Sequence, residues 1–257
     1  MISSIDNYNN LIKKVHENDR NFVDLFSNHF SVNGVLRYHD DLLKGMYDHN
    51  FSEVETINEE IFNSIEQIKN DRNEGFIKIS CSTPQDFLLE KGFEKDVLLT
   101  MLKEDYLSFP IPKNYLNKYK NYRENEEIIN DVIATEVLYY GEQYGIDFCI
   151  KRWNRYFNKV KEGENGLNIF ACYYQNNIAG YCYSFSKNGV VCIDSLFVLP
   201  EYRKQYVASN LIAYVAHFYN CPIYLHASDD DTPKEMYEKL GFKTISVSYD
   251  YLRVDKK

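Results

Sequence analysis

No apolar run in this 257-residue chain approaches the ~20 residues that a helix needs to cross a bilayer. The opening stretch, MISSIDNYNNLIKKVHENDR, also lacks the apolar core of a secretory leader. These absences predict a soluble, cytoplasmic protein with no membrane partner. Positive charge is short as well: 29 Lys and Arg stand against 38 Asp and Glu, for a formal net charge of -9 and a pI near 5.2. Binding a phosphate backbone needs a basic face, so no nucleic-acid partner is expected, whereas a cationic amine is tolerated. None of the 6 cysteines forms a C-x-x-C pair, and the 6 histidines show no ligand spacing near them. Cys172, Cys182 and Cys192 fall in apolar runs and read as buried free thiols, and no metal site is expected.

What is present is an ordinary globular composition, 44% hydrophobic and 26% charged, which excludes wholesale disorder. Met1 to about Phe30 reads as mixed helix, with Ile12, Val15 and Val23 to Phe26 as apolar positions. NEEIFNSIEQIKN carries Ile61, Phe62, Ile65 and Ile68 at helical spacing. GFIKIS and DVLLTML read as strands. SFPIPKNYLNKYKNY holds two of the 6 prolines and is the best linker, so a boundary is expected near Pro110 to Lys120. It separates an N-terminal α/β domain, residues 1–112, from a C-terminal domain, residues 113–257. In the second part, two helices lead into three apolar runs, LNIFACYY, IAGYCYSFS and VVCIDSLFVL. The turns QNN and KNG make these an antiparallel meander. A helix, the strand PIYLHA, a helix opened by an Asp231 or Thr232 cap, and a last strand complete the order α-α-β-β-β-α-β-α-β.

STPQDFLLEKGF, Ser82 to Phe93, aligns without gaps on DTPKEMYEKLGF, Asp231 to Phe242. Thr83, Pro84, Gly92 and Phe93 match Thr232, Pro233, Gly241 and Phe242, and each copy follows a short apolar strand. Chance remains an explanation, because this is a common way to cap and end a helix. The repetition of order and context together favours a diverged duplication. Leu88 then stands where the second copy has Tyr237.

VVCIDSLFVL followed by PEYRKQYVAS and the helix NLIAYVAHFY outlines an anion-binding corner. The first amides of a helix lack intrahelical acceptors and sit at the positive end of its dipole, and Arg203, Lys204 and Ser209 can add donors. Basic residues at a helix start are otherwise a solvated corner. VCIDSLFVLPEYRKQYVASNL with YLHASDDDTPKEMYEKLGF resembles the GCN5-related N-acetyltransferase (GNAT) family over about Tyr119 to Val254. That family reads Arg/Gln-x-x-Gly-x-Gly/Ala in its pyrophosphate loop, here Arg203-Lys204-Gln205-Tyr206-Val207-Ala208, and Tyr-x-x-x-Gly-Phe near its end, here Tyr237 to Phe242.

The resemblance implies an α/β (α+β) fold with a mixed, mostly antiparallel central sheet flanked by helices, the N-terminal half being a diverged GNAT-like copy. It implies acetyl-CoA as co-substrate and a small amine or peptide amine as acceptor, joined by direct attack in a ternary complex. The fourth strand of the family carries a bulge, and its backbone at Leu196, Phe197 and Val198 would hold the pantetheine arm and polarise the thioester. Arg203, Lys204, Gln205, Tyr206, Val207, Ala208 and Ser209 would hold the pyrophosphate, and Asp230 replaces an Asn that touches CoA. Tyr237 matches the acid that protonates the leaving thiolate, and Asp194 stands where some members carry a base; its other reading is a polar residue bonded at the bulge. His226 is a second candidate base, read more readily as a satisfied polar residue. A catalytically weak CoA-binding module, motivated by Tyr206 and Asp230, is the alternative. A transferase of larger acyl or aminoacyl groups is less favoured, and homodimerisation stays open.

Overall fold

The computed structural model describes residues 2–109, 117–121, 127–163, 166–230 and 233–255. The boundary expected at 112/113, and the expected cap at Asp231 or Thr232, lie outside them. Contacts divide the chain into two units that are not consecutive in sequence. The first comprises Met1–Asn21, Leu102–Leu225 and Glu238–Lys243; the second comprises Phe22–Met101, His226–Tyr237 and Thr244–Lys257. Among the described residues no helix is long and apolar enough to cross a membrane.

The second unit begins with β1 (Asn28–Val32), β2 (Val35–His39) and β3 (Ser52–Val54). Asn33 and Gly34 join β1 to β2 with φ of 49° and 77°, the paired positive angles of a tight hairpin. Helix α1 (Ile2–Val23) covers most of the mixed helix expected up to about Phe30, and only Asn28 to Phe30 of that stretch lies in a strand, β1. Helix α2 (Glu59–Arg72) follows, opened by Asn58, whose side chain accepts from the Ile61 amide at 2.9 Å, and closed by left-handed Asn73. Next come β4 (Phe76–Cys81), α3 (Asp86–Glu90) and β5 (Glu94–Lys103). β1–β2 and β2–β3 are antiparallel and β3–β4 is parallel. Val35, Val54, Phe62, Ile65, Ile77, Ile79, Leu88 and Phe93 bury the α2 face against these strands.

In the first unit, β6 (Asn117–Asn121) pairs with β7, so part of the stretch expected to be a linker is a strand. Then follow α4 (Ile128–Tyr144), α5 (Ile146–Lys161), β7 (Leu167–Tyr174), β8 (Asn177–Lys187), β9 (Val190–Val198) and α6 (Val207–Tyr219). β10 (Ile223–Ser228), α7 (Pro233–Lys239) and β11 (Lys243–Val254) complete the chain, in the order the sequence predicts for this half. β7, β8 and β9 form the antiparallel meander, with Gln175-Asn176 and Asn188-Gly189 turning through positive φ. Ile223–Leu225 of β10 pairs in parallel with Val191–Ile193 of β9. Trp153, Tyr156 and Phe157 on α5 are buried with Tyr181 and Phe185 on β8, and Trp153 meets Tyr181 edge-on at 5.3 Å. Fully buried Asn18 fixes α1 by donating to the Phe185 carbonyl at 3.1 Å and to the Tyr224 hydroxyl at 2.9 Å.

One succession occurs twice. Three antiparallel strands, a helix, a strand parallel to the third, a short helix and a last strand run from β1 to β5 and again from β7 to β11. The short helices end alike: Gly92 and Gly241 are left-handed, at φ of 81° and 89°, and Phe93 and Phe242 after them are buried. In the second unit β11, from the end of the chain, pairs antiparallel with β4 from Phe76↔Val254 to Cys81↔Tyr249.

Candidate active site

The corner that follows β9 is built by a bulge and two left-handed residues. Between Tyr183↔Asp194 and Tyr181↔Phe197 the register of β8 and β9 shifts, placing Ser195 and Leu196 opposite Cys182 alone. Ser195 takes φ of 49°, a left-handed conformation uncommon for a residue with a Cβ. Beyond the bulge, Gly180 faces Val198. A Cβ at Gly180 would lie 2.7 Å from the Phe197 carbonyl oxygen and 3.3 Å from a Val207 methyl. Glycine there lets the end of β9 and the start of α6 come together, which the sequence pattern of β8 did not single out.

A short turn at Pro200–Tyr202 leads into Arg203, whose Nε donates to the Val198 carbonyl at 3.1 Å. Lys204 and Tyr206 are left-handed, at φ of 60° and 62°. Alternation of this kind turns successive amides toward one side, as in anion-binding nests. Tyr206 is the N-cap of α6 and gives no side-chain cap, so the first amides of a 13-residue helix have no side-chain acceptor there. Its ring is 78% exposed. Tyr206 thus takes the left-handed conformation that glycine favours, with its side chain exposed. Ser209 Oγ donates to the Tyr206 carbonyl at 3.1 Å, Gln205 Nε2 donates to the Glu201 carbonyl at 2.9 Å, and Val207 is buried. Arg203, Lys204 and Gln205 are exposed, and Ala208 is half-buried.

Of the polar groups around the bulge, Asp194 was named from the sequence, whereas Tyr183, Arg152, Glu136 and Tyr181 were not. Asp194 is exposed; its Oδ2 accepts from the Tyr183 hydroxyl at 2.6 Å, and its Oδ1 accepts from the Ser195 amide. Arg152 on α5 donates from Nη2 to Ser195 Oγ at 2.7 Å, and its Nη1 lies 3.8 Å from Glu136 Oε2 on α4. Glu136 is only 3% exposed and accepts from the Tyr181 hydroxyl. Burial works against the Arg152 charge, but Tyr156, Glu136, Tyr183 and Asp194 outweigh it and raise the guanidinium pKa. Burial, then the neighbouring carboxylates Glu136 and Asp194, raise Tyr181 and Tyr183, so both phenols stay protonated and donate. Above the bulge, Phe197 packs on Tyr139, Tyr140 and Tyr181 at 5.2 to 5.6 Å. The Arg203 guanidinium lies 6.0 Å from the same ring.

Thus Asp194, Leu196 to Val198 and Arg203 to Ser209 share the first unit. Asp230 and Tyr237 belong to the second. Asp230 is exposed after β10, and Tyr237 is 8% exposed on α7. His226 is half-buried, with Nδ1 3.3 Å from Thr100 Oγ1.

Residues 140–250 match the family model described as Acetyltransferase (GNAT) domain. Over that range the chain is similar to GNAT acetyltransferase domains. Its matched range takes in the bulged β9, the α6 corner and Tyr237. Solved structures share the fold well beyond that range. A conserved protein of unknown function from Staphylococcus epidermidis is 20% identical, with a TM-score of 0.72, covering 90% of this chain and 95% of that one. A GCN5-related N-acetyltransferase from Kribbella flavida is 10% identical, with a TM-score of 0.63 and 91% of each chain covered. A tandem GNAT protein from the clavulanic acid biosynthesis pathway is 11% identical, with a TM-score of 0.54, covering 87% of this chain and 79% of that one. Among curated proteins no sequence match was found. At these identities the structural likenesses establish the fold, mixed and mostly antiparallel with flanking helices, that the GNAT resemblance implies.

Proposed function

We propose that the chain transfers an acetyl group from acetyl-CoA to a primary amine, without a metal, by direct attack in a ternary complex. The observation that carries this reading is the corner after β9. A helix start without a side-chain cap, two left-handed residues, and Arg203 with Lys204 together suit a diphosphate. The Gly180 contact, which a Cβ would fill, supports close approach of the backbone there. Amides from Gln205 to Ser209 would hold the pyrophosphate, and the β9 backbone at Leu196, Phe197 and Val198 would bind the pantetheine arm. A backbone N–H beside the bulge would stabilise the oxyanion that develops on the thioester. Tyr237 would protonate the departing thiolate, a step within reach of a positioned phenol. Asp194 is the candidate base. Its bonds from Tyr183 and the Ser195 amide also support a role in holding the bulge.

The repeated succession of strands and helices supports two copies of one unit, residues 1–112 and 113–257, with the first copy diverged. A second reading is a CoA-binding module with weak or no catalysis, favoured by the bulky Tyr206 ring at the corner. Calorimetric titration with acetyl-CoA, followed by thiol-release assays over amines, amino acids and peptides, separates the two. Binding without thiol release selects the module, and no binding at saturating acetyl-CoA rejects both. In an active enzyme, Tyr237→Phe is expected to lower kcat by about 100-fold with acetyl-CoA affinity nearly unchanged. Unaltered turnover would remove Tyr237 from the mechanism.

A further inference from the structure

The bulge of β9 is held from outside its own sheet. Ser195 keeps a left-handed backbone although it has a Cβ, and its hydroxyl accepts a short bond from Arg152, 43 residues earlier on α5. Arg152 is itself fixed. Its other terminal nitrogen faces the buried carboxylate of Glu136, which also accepts from Tyr181, and its Nε is buried without a hydrogen-bond partner. Leaving that Nε unsatisfied is unfavourable, yet the side chain keeps the orientation that reaches Ser195. A guanidinium needed only for pairing with Glu136 would gain by turning both terminal nitrogens to the carboxylate. Instead one arm goes to the carboxylate and the other to the bulge. Asp194, the residue before the bulge, is tied separately through Tyr183 and the Ser195 amide, so Ser195 is gripped from α5 and its neighbour Asp194 from β8.

We propose that Arg152 is a positioning residue. It clamps Ser195 in the left-handed conformation and thereby sets the direction of the backbone amides from Leu196 to Val198. This rests on the transferase reading for its catalytic meaning, though not for the clamp itself. Arg152 touches no reacting atom; it acts through Ser195.

The test uses the full chain and a rescue. Glu136→Gln with Arg152→Met removes the clamp and leaves no uncompensated charge in the core. Ser195→Gly added to that pair supplies a residue that takes positive φ freely. The clamp predicts a fall in kcat of about tenfold or more in the double variant, with KM for acetyl-CoA within about twofold, and substantial recovery on adding Ser195→Gly. A role confined to packing α5 gives no recovery, since a glycine at position 195, having no side chain, fills none of the space that Arg152 occupied. Amide hydrogen exchange over Asp194–Val198 is read in parallel, rising in the double variant and returning in the triple. If the wild-type chain acetylates no amine but this exchange pattern holds, the clamp stands and the transferase reading fails. Exchange unaffected by loss of Arg152, or raised and not restored by glycine, overturns the proposal. Should the double variant not fold, Arg152→Lys with and without Ser195→Gly is read by the same criteria.

Discussion

After β3 the chain turns through Glu55 to Asn58 into α2; after β9 it turns through Leu199 to Tyr206 into α6. Both turns follow the third strand of a meander and open a helix leading to a parallel strand. Their chemistry is opposite. At the first, the Asn58 side chain occupies the Ile61 amide, and Glu59 and Glu60 place negative charge over the first turn. At the second there is no side-chain cap, no acidic residue in the first turn, and Arg203 and Lys204 stand beside it. A helix start that satisfies its own amides and carries two carboxylates repels a diphosphate, whereas an uncapped basic one attracts it. One architecture thus occurs twice, and the two corners differ in cap and in charge.

Reversing charge should break this contrast most strongly. Arg203→Glu with Lys204→Glu is expected to weaken acetyl-CoA binding by about 100-fold, from loss of charge-assisted contacts of ~1.5–3 kcal/mol each. Glu59→Lys with Glu60→Lys should leave that affinity within about twofold, both read by calorimetry. A smaller effect separates the caps. Asn58→Ala should lower stability by ~1 kcal/mol in denaturant unfolding without touching ligand affinity. Tyr206→Gly should raise stability by up to ~1 kcal/mol and tighten acetyl-CoA binding, because glycine takes the left-handed conformation without strain. If Asn58→Ala alters affinity, or Tyr206→Gly weakens it, the division of roles fails.

The smallest effect lies in the N-terminal half, at His39 on β2. Burial, and next the field of Arg72, lower its pKa from the ordinary 6.5. The unfolded chain therefore binds the proton more readily there, and this contribution to stability, present above pH 6.5, is lost as pH falls through the lowered value. His39→Gln should flatten the acid side of a stability–pH curve as pH falls below 6.5, with no change in the pH dependence of acetyl-CoA binding.

The C-terminal half was legible from sequence because its signals are local. Long apolar runs bounded by Gln175-Asn176 and Asn188-Gly189 define the meander, and the TP-helix-Gly-Phe pattern occurs in both halves. The meander of β1 to β3 was not read. β1 is five residues long and almost wholly exposed, and β3 has three residues, so neither shows a pattern of alternation. The Asn33-Gly34 hairpin signal was the one clue available. At the corner, the motif residues from Arg203 to Ser209 could be named from the sequence as a group, since they are contiguous. Arg152 and Glu136 were not, because a charged residue on an amphipathic helix looks solvated until its distant partner is known.

The pairing of β11 with β4 has a consequence for how the chain is made. Ser80 on β4 donates to Asp250 on β11, a partner 170 residues later. Contacts of such span are slow to form, and at synthesis rates of ~5–20 residues per second β4 waits on the order of ten seconds or more for its neighbour. Through that interval the free edge of β4 is a template for any other extended segment. β11 thus completes the pairing of a strand translated some 170 residues before it, and translation halted ahead of β11 would leave β4 without this neighbour.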